Sequence, residues 1–293
     1  MTPAVLVAVV LVAAPPRGQP APRPEPNRVV VRPTLLRNGE VTAQVARGVA
    51  ARADGGRVTL AAAVEIAGRV EPGALGLRVA RDVDVTAPSG ERIGTIRAGA
   101  LVVPGASAGR RVMCDVAGRV RARVAIDAGA LTVAPAEFVW RDEPGRKYEA
   151  QRESPLLSAP RGGSVRATLS EGTFVVVLDD AADFLHVRTY AEIELEGYVP
   201  QSFFAPAQGG PARDVGQTGL NPTHEALIDT PMYADSAGKK RLGQLRGGAL
   251  VTAGKDLAGG LRKVMTHGDV VVEAWVADAD LRAVDARNWA QGL

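Results

Sequence analysis

Short runs of alternating apolar and polar residues dominate this chain. From Ile193 to Tyr198, the residues Ile193, Leu195 and Gly197 fall on one side and Glu194, Glu196 and Tyr198 on the other, the period-two signature of a half-buried strand. Val49 to Ala51, Ala100 to Val103, Thr173 to Leu178, Phe184 to Thr189, Ala249 to Thr252, Leu261 to Met265 and Val270 to Val276 read as further strands. Polar or glycine-containing turns separate them, and no stretch carries the apolar spacing of an amphipathic helix. The expected fold class is all-β.

One pattern occurs four times. A β-branched residue stands five positions before a large apolar one at Val70 and Leu75, Ile126 and Leu131, Val199 and Phe204, and Val276 and Leu281. Upstream of each pair come a small residue, an apolar residue and a glycine: Ala43, Val45, Gly48; Gly94, Ile96, Gly99; Ala167, Leu169, Gly172; Gly243, Leu245, Gly248. That glycine reads as the turn residue that lets the chain reverse into a strand, because glycine tolerates positive φ. Self-similarity of this kind divides a chain into small units, here placed at 29–76, 77–139, 146–206 and 223–285. Four or five short strands per unit argue for tandem small β-barrels, each closing on itself and so removing its edges. The first unit is the shortest, and Leu75 runs directly into Arg78 with no linker. Trp140 to Arg146 and Gln208 to Pro222, rich in Gly, Pro and polar residues, read as linkers.

The N-terminus predicts export to the periplasm or the cell exterior. Residues 1–14 resemble a signal peptide: Ala4 to Ala14 is an apolar run too short to span a bilayer, and Val12-Ala13-Ala14 offers small residues for cleavage. No Lys or Arg precedes the run and Pro15 follows it, which leaves a buried strand or an uncleaved anchor as alternatives. Residues 15–28 form a proline-rich linker, and no membrane span is expected in the mature chain.

Apolar residues make up 46% of the 293 positions and aromatics only 4%, so the cores must be built from Val, Leu, Ile and Ala. The net charge of +3 arises from 35 basic and 32 acidic residues interspersed along the chain, which lacks the footprint of a nucleic-acid binder.

The order of turn, small-x-apolar-x-x-Gly, apolar strand, polar turn, strand, and Gly-aromatic-Val resembles the bacterial SH3-like domain. Gly172-Thr173-Phe174-Val175-Val176-Val177, Phe184-Leu185-His186-Val187-Arg188 and Gly197-Tyr198-Val199 carry the resemblance in the third unit; Arg241 to Val251 and Ala274-Trp275-Val276 carry it in the fourth. The first two units depart from it, with Arg69 and Ala125 where the family has an aromatic residue. The resemblance implies a compact β-barrel in an exported or envelope protein, with a cell-wall peptide or glycan, or an envelope protein, as partner. It does not imply catalysis.

The chemistry-bearing residues fit that expectation. Cys114 lies in an apolar strand context with no base in a recognisable motif, and reads as a small buried hydrophobe. His186, His224 and His267 stand in unrelated contexts, and neither Asp179, Asp180 and Asp183 nor Asp278 and Asp280 form a calcium-loop series. No catalytic residue, metal site or cofactor is expected. The candidate ligand-binding residues are Phe184, Tyr190 and Tyr198 in the third unit and Tyr233 and Trp275 in the fourth, set against core packing as their rival role. The expected function is a non-catalytic binding or scaffold protein of the bacterial cell envelope; the alternative is a targeting or activating subunit of a cell-wall hydrolase system.

Overall fold

The structure, a computed structural model, describes residues 25–136, 138–139, 144–207 and 221–284. The signal-like segment, most of the proline-rich stretch and most of both expected linkers lie outside these residues. Within them the chain is all-β and antiparallel, with three short 3-10 turns and no α-helix. Ala128–Ala130, Gln201–Phe203 and Asp278–Asp280 are those turns. Each lies between the β-branched and the large apolar residue of the fourfold motif, so that spacing reflects one turn joining two strands.

The glycines after the apolar motif residue behave as their chemistry requires. Gly48, Gly99, Gly172 and Gly248 all take positive φ, between 76° and 95°.

The ladders of the third unit run in the order Phe204–Pro206, Arg146–Ala150, Phe174–Ala181, Phe184–Tyr190, Ile193–Pro200, Ser154–Leu157 and Val165–Leu169. The last strand does not pair back within the unit. Its free edge takes up Val120–Arg121 of the second unit, with Val120 opposite Leu169 and Arg121 opposite Thr168. The expected closure of each unit on itself is thus replaced by pairing with another unit, which satisfies the same exposed backbone groups.

That pairing is reciprocal. Ile193 of the third unit stands opposite Ile96 of the second, and Leu195 opposite Gly94. The first and fourth units repeat the arrangement: Val64 opposite Leu245, Ile66 opposite Gly243, and Val270 opposite Val45. A further backbone bond extends each of these four ladders, from Arg97 N to Glu192 O, Ser170 N to Arg119 O, Arg246 N to Ala63 O and Ala46 N to Asp269 O, all 2.8 to 2.9 Å.

The cores follow the same division. One cluster joins Ile96, Val124 and Ile126 to Leu156, Leu169, Leu195 and Val199, spanning the second and third units. A second joins Leu36, Leu60 and Ile66 to Met232, Leu245 and Val276, spanning the first and fourth, and a small third one joins Val29 and Val31 to Leu101 between the first and second. Leu75–Val79 links the two pairs. Leu75 and Gly76 pair with Val30 and Val29 of the first unit, while Leu77 and Arg78 pair with Val102 and Leu101 of the second. A single strand crosses the boundary at 76, and this is why no linker separates the two units.

Candidate functional site

A row of side chains crosses the outer face of each unit at the residue just before the structural column. In the fourth unit, Lys263 stands opposite Trp275, Trp275 opposite Tyr233, and Tyr233 opposite Arg241. In the third, the row is His186, Tyr198, Leu157 and Val165. In the second it is Met113, Ala125, Thr86 and Arg92. The first unit carries Arg69 opposite Arg37, and Arg37 opposite Thr42.

Period-two geometry places these side chains outward, because their neighbours Val199, Leu185 and Leu156 in the third unit and Val276, Val264 and Met232 in the fourth are buried. Trp275, Tyr233, Tyr198 and His186 are half-buried. The His186 and Tyr198 rings stack with centroids 4.7 Å apart and planes 20° from parallel. Beside Trp275, Lys263 is held by Glu273 at 2.7 Å. That hydrogen bond, more than the opposing effect of burial, raises the ammonium pKa.

The structure sets Tyr233 and Trp275 opposite each other in one ladder and Tyr198 at the equivalent place. Phe184 begins the same strand as His186 and stands opposite Pro200, so it extends the third row at its edge. Tyr190 lies apart from the row. It is buried with Phe174 and Val176, with the Lys147 ammonium 5.2 Å from its ring centroid, and so it packs a small core of its own. His186, Leu157 and Lys263 complete the rows and were not among the sequence candidates; the signal that finds them is the pairing register.

The remaining chemistry-bearing groups are engaged elsewhere. Cys114 is 1% exposed, and burial, reinforced by the charge of Asp115, pushes its thiol pKa up to about 11. Its sulfur is a protonated core atom at neutral pH. His224 Nδ1 lies 2.9 Å from the Thr223 hydroxyl and His267 Nε2 lies 2.6 Å from that of Thr252. Asp180 pairs with Arg146 at 2.7 Å, Asp278 pairs with Arg262, and Asp280 accepts from the Thr230 hydroxyl at 2.7 Å. Among the described residues no group of three or more His, Cys, Asp or Glu is arranged to hold a metal ion.

A cleft of about 440 Å³ opens where the second and third units meet, lined by Ser89, Glu91, Arg121, Arg123, Ser164 and Arg166 among others. Its guanidinium groups are held by carboxylates: Arg121 by Glu153, Arg123 by Asp115 and Arg166 by Glu91. No helix among the described residues is long and apolar enough to cross a membrane. No family model, curated protein or solved structure matches the chain.

Proposed function

We propose that this chain is a non-catalytic binding or scaffold protein of the bacterial cell envelope, built of SH3-like units and exported through its N-terminal segment. The single observation that carries the reading is the Tyr233–Trp275 cross-strand pair, flanked by Lys263 on the outer face of the fourth unit. Neighbouring aromatics that are half-exposed and bordered by a cation suit stacking on a sugar ring or a peptide plane at low entropic cost. The His186–Tyr198 stack gives the third unit a second such surface. The confinement of Cys114 to the core supports a role without a cysteine nucleophile. The ligand in this reading is a cell-wall peptide or glycan, or a partner protein of the envelope.

The test is sedimentation with purified peptidoglycan of the wild-type protein, Trp275→Ala and Tyr198→Ala, with thermal melts to confirm folding. A hot-spot aromatic is worth about 2 kcal/mol or more, so Trp275→Ala should lose most of the bound fraction. A wild-type protein that stays in the supernatant defeats the wall-ligand version of the reading.

A further inference from the structure

The first unit replaces the aromatic row by arginines, and this substitution has a chemistry of its own. Arg37 and Arg69 form a reciprocal backbone pair, with Arg37 N to Arg69 O at 2.8 Å and Arg69 N to Arg37 O at 2.9 Å. Residues bonded in this way lie about 5.5 Å apart at Cα and send their side chains out on the same face. Both side chains are exposed. Arg57 continues the row, since it precedes Val58, which stands opposite Gly68, the residue before Arg69. Thr42 ends it on the other side of Arg37.

Like charges placed directly opposite each other on a sheet are destabilising. Elsewhere on the outer faces the protein relieves cations with carboxylates: Arg123 with Asp115 at 2.8 Å, Arg188 with Glu196 at 3.0 Å and Lys263 with Glu273 at 2.7 Å. Arg47 and Arg32 of the first unit have such partners in Glu192 and Glu71, but on the Arg37–Arg69 row that relief is missing. None of the Arg37, Arg57 and Arg69 guanidinium groups has an ion-pair partner among the described residues. Asp54 stands opposite Arg57 in the register, whereas no carboxylate stands opposite Arg37 or Arg69, whose cross-strand neighbours are Thr42, Arg57 and each other.

We propose that Arg37 and Arg69, extended by Arg57 and Thr42, form a binding site for the phosphate groups of an anionic chain. A carboxylate is satisfied by one guanidinium fork, whereas the tetrahedral oxygens of a phosphate accept from two forks at once, and successive phosphates of a chain supply the balancing charge. Successive strands lie about 4.8 Å apart, so a chain carrying several phosphates and laid across them meets a cation or a hydroxyl at each step. The site is separate from the aromatic rows, and its success or failure does not depend on theirs.

The experiment uses the full chain. Calorimetric titration with sodium tripolyphosphate, at low and at physiological ionic strength, is run on wild type, on the double variant Arg37→Gln with Arg69→Gln, and on Arg123→Gln with Arg188→Gln. The second double variant removes the same net charge from carboxylate-paired sites. Saturable binding is expected in wild type, weaker at the higher salt, and reduced at least about tenfold by the first double variant but not by the second. A thermal melt of Arg69→Gln at low salt should be unchanged or higher, because a repulsion is removed. A parallel sedimentation with phosphatidylglycerol vesicles shows whether the phosphate belongs to a lipid surface or to a soluble chain. The proposal is overturned if wild type binds neither probe, if the first double variant binds as wild type does, or if both double variants weaken binding equally.

Discussion

Arg246 and Glu65 lie 181 positions apart in the chain, yet the Arg246 Nε donates to Glu65 Oε1 at 3.0 Å across the seam between the fourth and first units. The same guanidinium also holds Asp229 of its own unit. Arg97, Glu194 and Asp82 make the equivalent triad between the second and third units, with Arg97 Nε to Glu194 Oε1 at 2.6 Å. For both arginines burial acts to lower the pKa, but the hydrogen bonds and charges of the two carboxylates outweigh it, so the net direction is up.

Removing Arg246, which is 4% exposed, strands two largely buried carboxylates. Arg246→Ala should cost about 3 kcal/mol in urea unfolding, the lower end for a broken buried ion pair, because Asp229 keeps some solvent contact. Replacing all three charges by apolar residues should recover most of that loss. A cost under about 1 kcal/mol for Arg246→Ala would show that the triad does not hold the seam.

The seams also explain a sequence feature. A Cβ on Gly94 would lie 1.9 Å from the Glu194 carbonyl oxygen, and one on Gly243 would lie 2.0 Å from that of Glu65. Either alanine must push the paired strands apart, at a cost of about 1–3 kcal/mol or more. Gly90→Ala is no equivalent control, since its φ of 91° adds strain of its own. The better comparison is Gly105→Ala, whose nearest neighbour is the Met113 carbonyl at 3.2 Å. Gly94→Ala and Gly243→Ala should lower the melting temperature well beyond Gly105→Ala, with faster proteolysis.

Much of the local structure is legible in the sequence. The alternation from Ile193 to Tyr198 matches its burial residue by residue, and the turn glycines Gly48, Gly99, Gly172 and Gly248 announce their positive φ. What the sequence hides is which edge meets which. Val120 opposite Leu169 and Val64 opposite Leu245 are joined by backbone bonds, which carry no side-chain code and link residues far apart in the chain. The small residues Gly94 and Gly243 were visible, but their cause lies on another unit. Searching for aromatics found Tyr198 and Trp275 and passed over Arg37, whose meaning depends on standing opposite Arg69.

Cys114 should be inert until the protein unfolds. With its thiol buried and its pKa near 11, alkylation by iodoacetamide at pH 8 should be negligible in buffer and complete in denaturant. Rapid labelling of the folded protein would contradict its placement in the core.

His267 gives the neutral-pH limb of the stability curve. Burial lowers its pKa below the ordinary value near 6.5, so the fold favours the neutral ring. As pH falls through 6.5 the unfolded chain takes up the proton first, and stability declines from there until the folded pKa is passed. Above that window the contribution is fully present. His267→Gln should flatten the dependence of denaturation midpoints as pH falls below about 6.5; an unchanged slope would assign it to another group.

The hairpin turn of the third unit holds a backbone cost that one substitution can remove. Ala182 takes φ of 53°, whereas Gly55, Gly109 and Gly259 open the corresponding turns of the other units at 52°, 61° and 57°. Left-handed backbone costs an L-residue about 1–2 kcal/mol, and glycine gives back part of that gain through its larger unfolded-state freedom. Ala182→Gly should therefore stabilise the protein by about 0.5–1 kcal/mol. The turn lies between Ala181 and Phe184, at the end of the strand that carries His186, so the same variant should leave binding through the Tyr198 row unaltered. A stabilised variant with weakened binding would mean that the Phe184 edge, and not the His186–Tyr198 stack, makes the contact.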